Sequence, residues 1–232
     1  DAVREVLAKA CAAASPSLSR RSPGLGWAGG DEGAVDRVWA ALVELGVPGM
    51  GVPERDGGLG LSDVDLVPVL IEVGAAAVPL PVAETAAVAA PLFAAAGDPG
   101  GLLPGIVAGS SRVVLRLGAG PVPYAGRADL VLDLAGPAAR VGPAAGAGLS
   151  TVDGSRAARA VPAGTGAVVT TDPELVAHAR DRAAVVTAAQ LIGLSRRMLD
   201  MTVAYVRTRH QFGVAVGSFQ AVKHQLADAL RH

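Results

Sequence analysis

Over residues 1–110 the apolar positions recur every three or four residues, and over residues 111–170 they alternate or fall in short β-branched runs. The first spacing predicts helices and the second short strands. Residues 2–14 carry a helical pattern, and a Ser/Pro/Gly loop follows to about Gly30. Asp31 and Glu32 open the next helix, where negative charge complements the N-terminal dipole. Its apolar face is Val35, Val38, Leu42 and Leu45, and "LGVPG" stops it. After the glycine-rich connection "MGVPERDGGLGLSD", Ser62 or Asp63 caps a helix to about Gly74. Helices around 81–96 and 99–108 complete this zone.

"RVVLRL", "ADLVLDL" and "TGAVVTT" read as the strands of the middle zone, with the small-residue tract "AGPAARVGPAAGAG" as loop between them. From residue 171 the helical period returns. Thr171 and Glu174 have capping-box spacing, with Pro173 in the first turn. The helix then runs to about Thr208, interrupted by no proline and by Gly193 alone among glycines. Such a helix exceeds about 50 Å and suits a bundle. Val185, Ala189, Ile192, Leu199, Val203 and Val206 share one face, broken by Arg196. "QFGVAVG" turns the chain, and Ser218 caps a second helix whose Phe219, Val222, Leu226 and Leu230 are expected to face inward. The pattern therefore divides 1–110, 111–170 and 171–232 into a helical domain, a small β domain and the first two helices of a bundle: a mainly α chain with a small sheet.

Composition narrows the function. In 232 residues, 51% are hydrophobic but only 3% aromatic, so much of the core must be alanine. A net charge of -1 gives no footing for nucleic acid. The single cysteine, Cys11, makes neither an intrachain disulfide nor a cysteine zinc site, which fits a reducing cytoplasm. No window offers about 18 uncharged apolar residues, so no membrane span is expected. "GLGWAG", Gly24 to Gly29, matches G-x-G-x-x-G, but "SPSLSRRSP" rather than a strand precedes it, and it reads as a loop. His178, His210, His224 and His232 form no helical pair with a carboxylate, so no metal site is expected. His178 is expected to face solvent, with Asp181 and Arg182 in an exposed charged patch.

The densest chemistry lies in "YVRTRHQFGVAVGSFQAVKHQLADAL". Two readings stand. Arg209, Gln211 and the backbone N–H groups near Gly213 converge on an anion, with Phe212 as an aromatic wall and Gln220 in the first turn of the next helix. Or the segment is a helix–helix turn capped by Arg209, with Phe212 and Phe219 in the core.

Here the sequence resembles the acyl-CoA dehydrogenase family, whose C-terminal domain carries Y-x-x-x-R-x-Q-F-G and then F-Q-x-x-x-H-x-L-A-D. The matching residues are Tyr205, Arg209, Gln211, Phe212, Gly213, Phe219, Gln220, His224, Leu226, Ala227 and Asp228. "VWAALVELGVPGMGVPERDGGLGLSDVDLVPVLIEVG" is similar to the family's N-terminal segment. The resemblance implies FAD, oxidation of an acyl-CoA thioester to the 2,3-enoyl-CoA, and an electron-transfer flavoprotein or similar acceptor. It also implies that Arg209, Gln211, Phe212 and Gln220, with Val216 on the same surface, reach the FAD pyrophosphate and adenosine of a neighbouring subunit.

Three departures qualify the resemblance. The family's T-E-P-x-x-G-S-D run is replaced by "RVVLRLGAGPVPYAGRADL". A catalytic glutamate usually lies later than residue 232, and the family's second position for it, about 26 residues before the motif arginine, holds Ala183. Only about two helices of the family's four-helix domain are present. Some family members pair a complete with a reduced subunit, hold fewer flavins than subunits, and act on bulky, steroid-like CoA thioesters. The favoured expectation is such a reduced subunit, with no catalytic residue of its own and FAD shared across an interface with a second dehydrogenase subunit. The alternatives are a self-sufficient homo-oligomer whose glutamate lies beyond residue 232, and a scaffold that has lost flavin chemistry.

Overall fold

The computed structural model of the chain describes residues 2–14, 32–152 and 155–231. The expected loop to Gly30, the GLGWAG match, Asp31 and His232 lie outside the described residues. Helices α1 (Ala2–Ala14), α2 (Glu32–Glu44) and α3 (Asp63–Ala75) form the first layer. Val35, Val38 and Leu42 are buried as the period requires, and Leu45 is half-buried at the edge of the same cluster. Ser62 is the α3 N-cap; its N–H and hydroxyl donate to Asp65 at 3.0 and 2.6 Å.

The expected helix at 81–96 contains a π-helical turn, Glu84–Ala89, before it becomes α4 (Ala90–Ala95). The helix expected at 99–108 is shorter, α5 (Leu103–Val107). Thr85 in the π turn is fully buried and locks it to the sheet: its hydroxyl donates to the Val113 carbonyl and accepts from the Val113 N–H, each at 2.9 Å.

Strands β1 (Val113–Arg116), β2 (Leu130–Asp133), β3 (Ala139–Pro143), β4 (Ala147–Gly148), β5 (Arg159–Ala160) and β6 (Ala167–Thr170) follow. The main sheet has the order β1-β2-β3-β6; β1 and β2 are parallel and the other pairs antiparallel. The expected loop tract is corrected by β3, which takes an inner place in the sheet. Short side chains hid its period, yet Ala139 and Val141 are buried on one face while β2 and β6 satisfy its backbone on both edges.

Helix α6 (Pro173–Thr208) has the expected length. Its cap is Asp172, not Thr171: Asp172 Oδ1 accepts from Glu174 N–H at 2.9 Å, because a carboxylate one residue nearer competes better for that donor. The buried stripe also differs. Val176, Ala179, Ala183, Val186, Ala189, Gly193 and Val206 face inward, while Val185 and Ile192 are exposed. Small residues face the core because α3 crosses very closely. A Cβ on Gly193 would lie 1.8 Å from the Ile71 carbonyl oxygen, and one on Gly74 2.1 Å from that of Gln190.

The chain closes with a hairpin, β7 (His210–Gln211) and β8 (Val214–Ala215), and helix α7 (Gln220–Arg231). The expectation that α7 turns Phe219 and Leu230 inward is corrected: Phe219 is 38% and Leu230 75% exposed, and α7 has no buried residue. Val222 and Leu226 alone of that face are half-covered. The main core joins α3, the π turn, the sheet and the first half of α6; a second core lies under α1 and α2, and a third on the far sheet face.

Candidate functional site

Two places gather unusual chemistry. The first is the hairpin at the end of α6. Arg209 is the helix C-cap, with its N–H on the Tyr205 carbonyl at 2.9 Å. Its own carbonyl accepts from Val216 N–H at 2.7 Å, which brings the two predicted residues together. Phe212 and Gly213 form the hairpin tip, both at positive φ (54° and 80°). Primed hairpin turns demand that geometry, and glycine accepts it freely while phenylalanine is strained by it.

Phe212 is 92% exposed, so the reading that buries it in the core does not hold in this chain. Its ring meets Phe219 edge-on at 6.3 Å. Gln211 is exposed, and its amide donates to the His210 carbonyl at 2.9 Å. Gln220 is exposed at the start of α7. Among the described residues, the Arg209 guanidinium has no hydrogen-bond or ion-pair partner.

The second place is a cavity of about 290 Å³ between the π turn, the end of β1 and α6. Ala83, Leu115, Leu117, Val122, Ala183 and Val186 supply apolar wall. Glu84 also lines it. Part of that side chain touches solvent, but Oε2 is shut away without a hydrogen-bond partner. Burial pushes the Glu84 carboxyl up to about 7, against the opposing pull of its own backbone N–H and of Arg156. Sequence reading passed over this residue. The available signal was that Glu84 is the sole charged residue between Glu72 and Asp98.

Arg116 also borders the cavity, but its guanidinium points to the other face of the sheet. There it bonds the Val161 carbonyl and pairs with Asp133 at 3.5 Å. Asp133 in turn accepts from Ala135 and Gly164 N–H groups.

The expected exposed patch at Asp181 and Arg182 is half corrected. Asp181 and His178 are exposed. Arg182 instead tucks between α3 and the π turn, 2.7 Å from Asp63 and donating to the Ala87 carbonyl at 2.7 Å. Burial lowers its pKa and Asp63 opposes the shift. Among the described residues no group of three or more His, Cys, Asp or Glu is placed to hold a metal, and no helix is long and apolar enough to cross a membrane.

Comparison with known proteins places these features in one family. Residues 2–100 match the acyl-CoA dehydrogenase N-terminal domain and residues 174–232 the acyl-CoA dehydrogenase C-terminal domain. The chain belongs to the acyl-CoA dehydrogenase family. It is 32% identical to acyl-CoA dehydrogenase IpdE2 of Mycobacterium tuberculosis (strain ATCC 25618 / H37Rv) over 200 residues, covering 85% of this chain and 62% of the relative. Against acyl-CoA dehydrogenase FadE34 of the same organism it is 35% identical over 243 residues, covering 95% of this chain and 33% of FadE34. The chain thus spans about three fifths of the first relative and one third of the second.

Its fold is similar to that of the Tcur3481–Tcur3483 steroid ACAD, with TM-score 0.75, 25% identity, and coverage of 98% of this chain and 70% of that one. It also shares the fold of the ChsE4–ChsE5 complex from Mycobacterium tuberculosis, with TM-score 0.71, 23% identity, and coverage of 98% and 72%.

Acyl-CoA dehydrogenases of this fold imply FAD, and the two places differ in how they suit it. The hairpin offers an unpartnered guanidinium, an exposed amide and an exposed aromatic ring, which fit a pyrophosphate and an adenine. The cavity offers a flavin ring few hydrogen-bond donors. Its loop from Leu117 to Pro123 has no hydroxyl, and Pro121 and Pro123 lack the N–H donors that would replace one.

Proposed function

We propose that this chain is a subunit of an FAD-dependent acyl-CoA dehydrogenase that converts an acyl-CoA thioester to the 2,3-enoyl-CoA, and that it completes the FAD site of a second dehydrogenase subunit. In this reading Arg209 makes a charge-assisted contact to the pyrophosphate. Gln211 and Gln220 supply hydrogen bonds, and Phe212 and Val216 form an apolar wall at the adenosine. FAD, when bound, supplies the hydride acceptor. Ala183, at the alternative glutamate position, is buried and offers no carboxylate there, and in this reading the catalytic base belongs to the second subunit. A bulky, steroid-like acyl group and an electron-transfer flavoprotein are the proposed substrate class and acceptor, a reading supported by the description of one structural neighbour as a steroid ACAD.

One observation carries the reading. Phe212 is held in a strained backbone conformation yet is 92% exposed, beside an unpartnered arginine. Strain of roughly 1–3 kcal/mol without compensating burial is expected where a residue is set for binding.

The test is co-expression with a complete dehydrogenase subunit, measuring flavin absorbance and native mass. The chain alone is expected to carry no flavin. In the complex, Arg209→Ala should weaken FAD retention about 10- to 100-fold, the loss of one charge-assisted contact. A flavin-loaded homo-oligomer of this chain overturns the subunit reading. Unchanged retention by the Arg209→Ala complex overturns the site.

A further inference from the structure

The π turn runs directly into a proline. Within it the Thr85 carbonyl accepts from the Ala90 N–H, five residues on. Two residues later the pattern fails. In an α-helix the Ala87 carbonyl would take its hydrogen bond from residue 91, which is proline and has no N–H. Ala87 is fully buried, so water does not serve that carbonyl either. An orphaned buried carbonyl is costly.

Arg182 of α6 fills the gap. Its Nε–H donates to the Ala87 carbonyl at 2.7 Å, and its Nη2 lies 2.7 Å from Asp63 at the start of α3. One planar fork thus joins three elements, which the single ammonium of a lysine could not do in two fixed directions. Gly51 closes over the contact. A Cβ there would lie 3.3 Å from Pro91 Cγ and 3.5 Å from Arg182 Nη2.

The elements joined are also walls. Ala83 and Glu84 form one side of the cavity of about 290 Å³, and Ala183, Val186, Thr187 and Gln190 of α6 form another. A smaller space of about 130 Å³ lies behind, lined by Leu66, Leu70, Ala87, Arg182 and Val185, and Val186 borders both. Thr85 ties the turn to β1 on the sheet side. On the α6 side the polar tie is Arg182.

We propose that Arg182 is a positioning residue: it supplies the main-chain donor that Pro91 cannot, and so holds α6 and the π turn together as the two walls of the Glu84 cavity. Without it the Ala87 carbonyl must draw in water, the walls part, and water reaches the shielded Glu84 oxygen.

The test takes no flavin, so its outcome is independent of the subunit reading. The full chain, carrying carbon-13 at its glutamate carboxyls, is titrated by NMR; the Glu84 signal is the one that Glu84→Gln removes. Burial holds that carboxyl at about 7 in the original, and the charge pulling on it is Arg156 rather than Arg182. Arg116, the other ionisable residue on the lining, turns to the far face of the sheet. Arg182→Met keeps an apolar stem and removes the donor, and the Glu84 midpoint should fall by about one pH unit or more as water enters. Loss of a positive charge alone would raise it, and a role in stability alone would shift unfolding but not the titration of the folded protein. Should Arg182→Met not fold, Arg182→Lys should give a smaller fall. Asp63→Asn, which keeps an acceptor for the fork, should leave the midpoint unmoved. Pro91→Ala restores the missing N–H, and in that background Arg182→Met should act about a third as strongly or less. A midpoint that stays or rises when Arg182 is replaced overturns the proposal. So does a fall of equal size in the Pro91→Ala background.

Discussion

From Pro173 to Gly193, helix α6 behaves as a core element, with a buried residue at every turn; from Leu194 to Thr208 only Val206 is buried. Met198, Met201 and Tyr205 lie open to solvent on the second half, at 53%, 38% and 60% exposure. Nothing in the local sequence marks the change, since the helical run continues without proline or a second glycine. What differs is tertiary cover. Among the described residues, the first half lies against α3, the π turn and the sheet, while the second lies mainly against the hairpin and α7. Two halves of one helix thus differ in how far the described residues cover them. Exposed apolar side chains grouped along one arm mark a contact surface.

Four measurements sharpen or break this contrast. The largest effect is expected at Glu84, which shares its cavity with Ala183, Val186, Thr187 and Gln190 of the anchored half. Burial raises its folded pKa to about 7, well above the ordinary carboxylate range near 4.5. Below pH 4.5 both folded and unfolded chains hold the proton and the carboxyl costs nothing. As pH rises to about 7 the unfolded chain releases it first, so stability falls by roughly 3 kcal/mol. Urea unfolding of the original protein and Glu84→Gln, at pH 5 and pH 8, should show the variant gaining that amount relative to the original. Parallel pH profiles would remove the buried carboxyl from the anchored half.

Next is Gly193→Ala. Its Cβ would strike the Ile71 carbonyl oxygen, and forcing α3 away should outweigh the gain in helix propensity, for a net loss of about 2 kcal/mol. A thermal midpoint at or above the original would mean that the crossing is looser than described. Smaller again is Asp172→Ala, which removes the cap of the anchored end. It should cost about 1 kcal/mol by denaturant titration, whereas Thr171→Ala should leave the helix start unaffected. Smallest is Tyr205→Ala on the bare arm, expected to change the stability of the isolated chain by less than about 0.5 kcal/mol. A loss several times larger would show that the chain itself covers the arm.

The same contrast explains what was legible in the sequence. Helices α2, α3 and α6 announced themselves through period and punctuation, and β1, β2 and β6 through β-branched residues. These are local signals, and the structure kept them. Strand β3 did not stand out, because "AARVG" owes its place to neighbours on both edges rather than to its own side chains. The inward face of α6 was misread for a related reason. Val185 and Ile192 are the bulky residues, but the close approach of α3 admits only small ones at Ala183, Ala189 and Gly193. At the hairpin, the residue types and their closeness in sequence were visible. The positive φ of Phe212, which separates a displayed ring from a core ring, was not. Glu84 was visible only as an odd charge in an apolar stretch; its cavity requires the π turn and the sheet together.

The crossing at Gly193 has a mechanical consequence. It is the last buried position on α6 before Val206, and Arg209 stands sixteen residues beyond it. At the usual rise that is a lever of roughly 24 Å. A one-degree tilt about the fulcrum swings the guanidinium by about 0.4 Å, enough to stretch a hydrogen bond noticeably. Aim at the tip is therefore set by how tightly two glycines let two helices touch. A single methyl group at the fulcrum can disturb a contact it never approaches.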